Sequence, residues 1–364
     1  MKPARFFLLM LLVAALMLAS IGTLNVVVDP LQQYRLPSAY APRFYPALQR
    51  HQNVGLARRA HYTRIVMGSS LMENVDTRDV DRVFGSGRAI NLSISAMTAF
   101  DAAQLLRIAL ATGKPQHVII HLDYNAFSGA ADRSGFADAF PAHLYNHTVL
   151  DDAPYWFDVA TTAKSLSILS RKSIGARFST DQARPWYWAD GVTFSAEKAL
   201  GGLDLTNINR DYKQPARTLG GMLASFDANI LPLLREHPEV KFSLVYLPYS
   251  ALVWMDFEQR QQTALTLAFR TEALARTFAF TNVEWFDFQA DAPLVSELSH
   301  YTDIYHFSPR VSATLMQRIA EGSGRVNAAM LQQNNAWLAE LAAQDVRRFV
   351  SNARSVNASN TSKH

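Results

Sequence analysis

The sequence predicts an α/β domain on a five-stranded parallel sheet sandwiched by helices, with an N-terminal transmembrane helix and a helical insertion. Three observations carry this. Short, nearly continuous apolar runs alternate with helically patterned stretches, the order that yields parallel βαβ units and a sheet covered on both faces. The alternation breaks once, from Phe127 to about Gln214, and then resumes. Ahead of it all, an uncharged apolar run extends from Phe6 to Val28. A bilayer core of roughly 30 Å needs about 20 helical residues, so this run is long enough to span.

Taken in order, residues 1–28 form the anchor. Lys2 and Arg5 flank it and belong on the cytoplasmic side, which sends the rest of the chain across the membrane. A cleaved signal peptide is the rival reading, with small residues from Ala15 to Ser20 for a cleavage site. The run is longer than a typical signal core, which favours an uncleaved anchor. Asp29-Pro30 ends the helix, and residues 29–62 are a connector without clear period. The core domain, residues 63–325, opens with a strand at Arg64–Val66 and a turn at Gly68-Ser69-Ser70. A helix follows over about Leu71–Phe84. Strand two is Arg88–Leu92, ending in the small residues Ser93-Ile94-Ser95-Ala96; a helix over Ala99–Thr112 and strand three, His117–Leu122, come next.

The insertion, about residues 128–215, is polar and aromatic, with a best helix at Tyr155–Ser170, and is expected to fold over one edge of the sheet. The alternation then resumes with a helix over Leu219–Glu236, strand four at Val240–Leu247 and a helix over Glu258–Thr277. Strand five spans Val283–Phe288 and a closing helix Ser308–Glu321. Residues 326–364 comprise a helix, Asn327 to about Val350, and a Ser- and Asn-rich tail, Ser351–His364, expected to be disordered.

Composition narrows the function classes. The 364 residues are 49% hydrophobic and 18% charged, which is globular composition. The formal net charge of +4 comes with scattered Lys and Arg, so nucleic-acid binding has no support. The absence of cysteine removes disulfides, zinc–thiolate sites and a Cys nucleophile. His117 and His121 share a strand face but stand roughly 13 Å apart at about 3.3 Å per residue, too far to ligate one metal.

The candidate chemistry centres on Ser70. An apolar strand, a small-residue turn and an immediate helix start form the junction where α/β folds place reactive groups. A serine hydroxyl needs a base, and the base needs an orienting group. Asp303 and His306, three apart, lie just ahead of the closing helix; in a helical turn that spacing puts both side chains on one side. Ser308 at the N-cap and Pro309 at the first position mark that helix start.

Ser70 in a Gly-x-Ser-Leu turn after strand one, with Asp303-x-x-His306 before the last core helix, resembles the SGNH (GDSL-type) hydrolase superfamily. The resemblance covers about Arg64–Glu321 without the insertion. It implies a five-stranded parallel sheet in order 2-1-3-4-5, with Ser70 as nucleophile, His306 as base and Asp303 as its orienter. The anchored layout is similar to that of alginate O-acetyltransferase-like proteins and of proteins carrying D-alanine onto teichoic acids. Gly68-Ser69-Ser70 with Glu73-Asn74, and the Pro248-Tyr249-Ser250 turn, resemble these relatives more than secreted lipases. The family's oxyanion hole uses the nucleophile's N–H, a Gly N–H after strand two and an Asn side chain after strand three. Ser93 stands at the Gly position and Asp123 at the Asn position. Asn125 supplies the donor from two positions on, or Asp123 is protonated, or the hole has two donors; one lost donor costs about 10²–10³ in rate.

The implied function is acyl transfer or ester hydrolysis, of acetyl above all, on a cell-surface polysaccharide, without cofactor or metal. The implied setting is the bacterial inner membrane, single-pass, with the main domain periplasmic. A transferase would draw on a multi-pass membrane protein for its acyl donor. The alternative is a non-catalytic SGNH-fold scaffold or glycan-binding subunit of an envelope assembly complex, for which Asp123 and the missing Gly argue. Among further residues, Glu73 reads as a first-turn residue answering the helix dipole. Tyr155-Trp156-Phe157 reads as core packing of the insertion. Trp186 and Trp188 read equally as sugar-stacking platforms or packing, and Tyr249 and Ser250 equally as ligand contacts or turn packing.

Overall fold

Five strands, β1 (Arg64–Met67), β2 (Ala89–Asn91), β3 (His117–His121), β4 (Lys241–Tyr246) and β5 (Val283–Asp287), pair in parallel in the order β2-β1-β3-β4-β5. In register, Ile65 lies opposite Ile90 on one side and Val118 on the other, and Leu244 lies opposite Trp285. β1, β2 and β3 are buried throughout, as their apolar runs require of strands covered on both faces. This computed structural model describes residues 3–135, 140–146, 148–171, 177–201, 203–208 and 217–361, with side chains described to Ala353. Lys2, the end of the insertion near residue 215 and the last three tail residues lie outside that set.

The helices in chain order are α1 (Pro3–Val28), α2 (Gln49–Arg59), α3 (Ser70–Glu73), α4 (Thr77–Phe84), α5 (Ala99–Thr112), α6 (Ala153–Trp156), α7 (Val159–Leu169) and α8 (Ala196–Leu200). After the insertion come α9 (Leu219–Asn229), α10 (Leu231–Glu236), α11 (Ala251–Gln259), α12 (Thr263–Ala275), α13 (Ala292–Ser296), α14 (Pro309–Ala320), α15 (Ala328–Ala342) and α16 (Val346–Thr361).

Several helices that the periodicity runs together are broken, and the breaks have local causes. The expected Leu71–Phe84 helix stops at Asn74 because the buried Asn91 side chain takes the carbonyls of Met72 (2.9 Å) and Val75 (3.2 Å). Asp76 then caps a fresh start by accepting the Arg78 N–H. Asp158 caps α7 in the same way, and Asp345 caps α16 at the Arg348 N–H (2.7 Å). Pro232, in the first turn of α10, separates it from α9. The last helix runs to Thr361, and Val346, Phe349, Val350 and Ala353 repeat at helical spacing and pack against the domain.

α1 is long and apolar enough to cross a membrane and is exposed from its start to Ser20. Its last turns belong to the domain. Fully buried Asn25 donates to the Trp156 carbonyl (2.7 Å) and Thr162 Oγ1 (2.9 Å), and accepts from Ser165 Oγ (2.8 Å). One turn on, the Asp29 carboxylate gathers the backbone N–H groups of Gln33, Tyr34 and Arg35 and the Tyr155 hydroxyl. Of the expected core triplet, Tyr155 is buried, Trp156 half-buried and Phe157 exposed.

A second buried hub ties the C-terminal helices to the sheet. The Arg270 guanidinium, on α12, pairs with Asp287 at the end of β5 and bonds to Tyr124 Oη (2.8 Å) and Asn335 Oδ1 (2.6 Å). Removing one partner of such a pair leaves a charge buried without compensation. Asp287→Asn is expected to cost about 3–5 kcal/mol, and Arg270→Met/Asp287→Leu distinctly less; urea midpoints of the solubilised chain measure both.

Candidate active site

The strand order reverses at β1: its outgoing connection leads to β2 on one side, and the chain returns as β3 on the other. Such a reversal leaves a crevice at the carboxyl ends of the strands. A cavity of about 520 Å³ lies there, lined from the β1 turn by Ser69 and Ser70, from the β2 loop by Ser95 and Ala96, and from the β3 loop by Asp123 and Asn125. Asp303 and His306 close it on one side; Lys198, Leu203 and Ile208 of the insertion form a wall on another.

Ser70 occupies the first position of α3. The turn that delivers it depends on Gly68, where a Cβ would lie 2.5 Å from Met72 Cγ and 2.9 Å from His121 Cβ. Only a bare Cα lets β1 turn so close to β3. Ser70 Oγ is 2.8 Å from His306 Nε2, and His306 Nδ1 is 2.7 Å from Asp303 Oδ2. A carboxylate accepts, so Nδ1 carries the proton and Nε2 is left as a lone pair toward the serine hydroxyl. Asp303 is itself fixed, since its Oδ1 accepts the N–H groups of Tyr305 (2.7 Å) and His306 (2.8 Å). The expected helical turn is instead a loop closed by the Tyr301–Phe307 bridge and the Thr302 N–H on the His306 carbonyl (3.0 Å). Ser308 stands at the N-cap of α14, but its hydroxyl makes no cap bond.

Burial works against a charge on His306, but the Asp303 hydrogen bond and charge, with Glu73 and Asp123 behind them, raise it above its ordinary 6.5. Burial likewise opposes the charge on Asp303, and the His306 hydrogen bond and charge outweigh it and hold it below 3.8. Trp188 supports both partners of the serine–histidine pair. Its indole N–H donates to the Ser70 carbonyl (3.1 Å) and its ring meets the His306 imidazole edge-on at 5.3 Å.

The oxyanion side departs from expectation. Ser93 is fully buried and its N–H is already donated to Asn91 Oδ1 (3.0 Å), so it has none to offer. The cause is register: Leu92 N–H reaches Val66 O and Ile94 N–H reaches Gly68 O, so pairing with β1 continues through Ile94. The true turn is Ser95-Ala96. Ser95 donates its N–H to Gln49 Oε1 (2.8 Å), and Arg50 holds both carbonyls of the turn. Ala96 adopts a left-handed backbone, φ +50°, and its N–H has no hydrogen-bond acceptor among the described residues.

Asp123 is not an orphan anion in the cavity. Its Oδ2 accepts from Ser69 Oγ (3.0 Å), and its Oδ1 accepts from Tyr249 Oη (2.9 Å) and the Asn125 N–H (2.9 Å). It therefore acts as an acceptor hub that orients the Ser69-Ser70 turn and the β3 loop. Asn125 lines the cavity, and its buried side-chain oxygen has no hydrogen-bond partner among the described residues.

Tyr249 lines the cavity while bound to Asp123. Ser250 does not line it: fully buried, it ties its hydroxyl to the Ile304 carbonyl (2.7 Å) and so braces the Asp303–His306 loop. Trp186 is no stacking platform; it is fully buried, bonds to the Asn91 carbonyl (2.9 Å) and meets Phe44 edge-on. Trp188 packs on the imidazole instead of facing the cavity. Glu73 does lie in the first turn of α3, and it is buried there, held by Gln49 Nε2 (2.7 Å), with burial pushing it up to about 7. Sequence reading missed Gln49 and Arg50, which sit in a connector stretch without period, and the cavity wall drawn from α8.

No family model matches the chain, and no curated protein matches it.

Two titrations follow from these contacts. The His306 imidazole, followed by NMR, is expected to titrate above 6.5 and to fall in Asp303→Asn. Glu73 binds its proton more tightly folded than unfolded, so its contribution to stability is full below its ordinary 4.5 and lost as pH rises through about 7. Glu73→Gln, permanently neutral, should melt above the wild type at about pH 8 and show no such gain at about pH 4.

Proposed function

We propose that the chain is an exported, membrane-anchored, SGNH-like serine enzyme that transfers or removes an ester-linked acyl group, acetyl above all, on a cell-surface polysaccharide. The observation that carries this is the continuous hydrogen-bonded line Ser70 Oγ, His306, Asp303 at 2.8 and 2.7 Å, opening on one cavity.

Ser70 Oγ attacks the ester carbonyl carbon as His306 Nε2 takes its proton. The negative charge on the carbonyl oxygen meets the Ser70 N–H, which has no intrahelical acceptor at the first helical position, and the free N–H of Ala96 and side chain of Asn125. His306 returns the proton to the leaving alkoxide, and an acyl-Ser70 ester remains. His306 then deprotonates the second nucleophile, which attacks the acyl carbon and regenerates Ser70. Water gives an esterase; a sugar hydroxyl gives a transferase, supplied by a multi-pass membrane protein that presents the acyl donor. No step draws on a cofactor or metal.

The anchor reading rests on α1, in which Ala15–Ser20 lie inside one unbroken helix. Arg5, with Lys2, on its N-terminal flank favours a bacterial inner-membrane protein with a periplasmic domain. The non-catalytic scaffold reading drew on Asp123 and on the missing Gly: both Asp123 oxygens are engaged by Ser69, Tyr249 and Asn125, while Ser93, at the Gly position, has its N–H on Asn91 and keeps that reading as the alternative.

The purified chain, offered a chromogenic acetyl ester and a serine-reactive phosphonate, is expected to turn over the first and be labelled by the second, with Ser70→Ala abolishing the labelling and lowering turnover by about 10⁶-fold. No Ser70-dependent turnover or labelling, with a glycan acceptor present, would sink the enzymatic reading.

A further inference from the structure

The insertion carries a helix turned inside out. In α7 the buried positions are mostly polar, Thr161, Ser165 and Ser167, with only Ile168 apolar among them. The outward positions are uncharged and apolar: Val159 is 82% exposed, Leu169 61% and Leu166 50%, with the exposed Ala163 between them. A solvent-facing helix shows the reverse arrangement. Beside α7, Phe157 is also exposed, and Leu150 in the preceding turn is 79% exposed. These side chains are too many and too close together in the chain for the scattered apolar residues of an ordinary surface.

What covers them is indicated by α1. Part of the polar face of α7 meets that helix, since Ser165 and Thr162 are the partners of Asn25, while Ser167 accepts from Arg43 and Thr161 donates to the Asp158 cap. α1 is exposed from Pro3 to Ser20, a length of roughly 27 Å at 1.5 Å per residue, close to the thickness of a bilayer core. The first residues to touch the domain are Ile21 and Gly22, and a Cβ on Gly22 would lie 3.1 Å from the Phe157 ring. Phe157 and the start of α7 thus stand level with the point where α1 leaves the hydrocarbon. An aromatic residue with an amphipathic neighbour (Trp156, whose N–H is bonded to Tyr34 Oη) suits that boundary. So does Arg35, exposed beside the end of α1 with its guanidinium on the Val26 carbonyl (2.8 Å).

We infer that residues 149–169 form an interfacial foot whose apolar face, Leu150, Phe157, Val159, Leu166 and Leu169, rests in the lipid boundary beside α1 and sets the domain's height and orientation on the bilayer. This rests on the reading of α1 as a membrane span.

The chain has no native cysteine, so single-cysteine labelling is direct. The full chain, reconstituted alone at low density in phosphatidylcholine–phosphatidylglycerol vesicles, would carry an environment-sensitive fluorophore at Val159→Cys or Leu166→Cys. Leu11→Cys reports the span and Glu236→Cys the aqueous surface. Labels at 159 and 166 are expected to lose at least about half their emission to a shallow doxyl-phospholipid and little to aqueous iodide, the reverse of Glu236→Cys. Iodide quenching at 159 and 166 with lipid quenching at Leu11→Cys overturns the foot while the span stands. Protection from both quenchers marks contact between copies of the chain and also overturns it. Absence of lipid quenching at Leu11→Cys removes the span and the foot together.

Discussion

The reversal of strand order at β1 is the constraint on which the rest of the candidate site depends. Because β2 and β3 lie on opposite sides of β1, their following loops flank the turn that carries Ser70 rather than running away from it. The loop after β5 reaches the same edge and brings His306 within hydrogen-bond distance of a serine that precedes it by most of the domain. Side chains at that edge then hold one another: Asp123 joins the β1 turn, the β3 loop and the β4 turn through Ser69, Asn125 and Tyr249.

The sheet and the Asp303–His306 pair were legible in the sequence because each is written locally. A strand buried on both faces is a contiguous apolar run, and Asp303-x-x-His306 is fixed by a carboxylate that bonds its own loop. What was not legible depends on partners distant in sequence. Ser93 looks like a turn residue beside Ser95, and only its ladder with β1 keeps it extended and enclosed. Trp186 and Trp188 are two residues apart, yet one fills the core against Phe44 and the other supports an imidazole. Helix breaks escaped notice for a related reason. A period in apolar residues does not register that Asn91, from another strand, takes the carbonyls at which a helix ends.

Polar groups buried in this protein are arranged as joints. Asn25 and Asp29 fasten the end of α1 to the insertion and the connector; Arg270 and Asp287 fasten α12 and α15 to the sheet; Gln49 links Glu73 to the Ser95 turn. Each is deeply buried and hydrogen-bonded, which makes partial disruption costly and a single arrangement favourable. The left-handed Ala96 sits on such a joint, its neighbouring carbonyls pinned by Arg50, so a backbone conformation that a non-glycine residue seldom takes is held by its surroundings.

The fastening at Asn25 changes what kind of object the N-terminal helix is. A flexible linker lets a domain roam a hemisphere, and the mouth of its cavity would sample many heights and angles. Here the helix axis continues into the domain and is bolted to it by side chains before the chain turns at Asp29. Such a helix is a strut, and tilting it tilts the cavity with it. Whatever enters between Ser70 and the wall built by α8 must therefore arrive at one fixed place relative to the helix, and reach is a property of the incoming molecule.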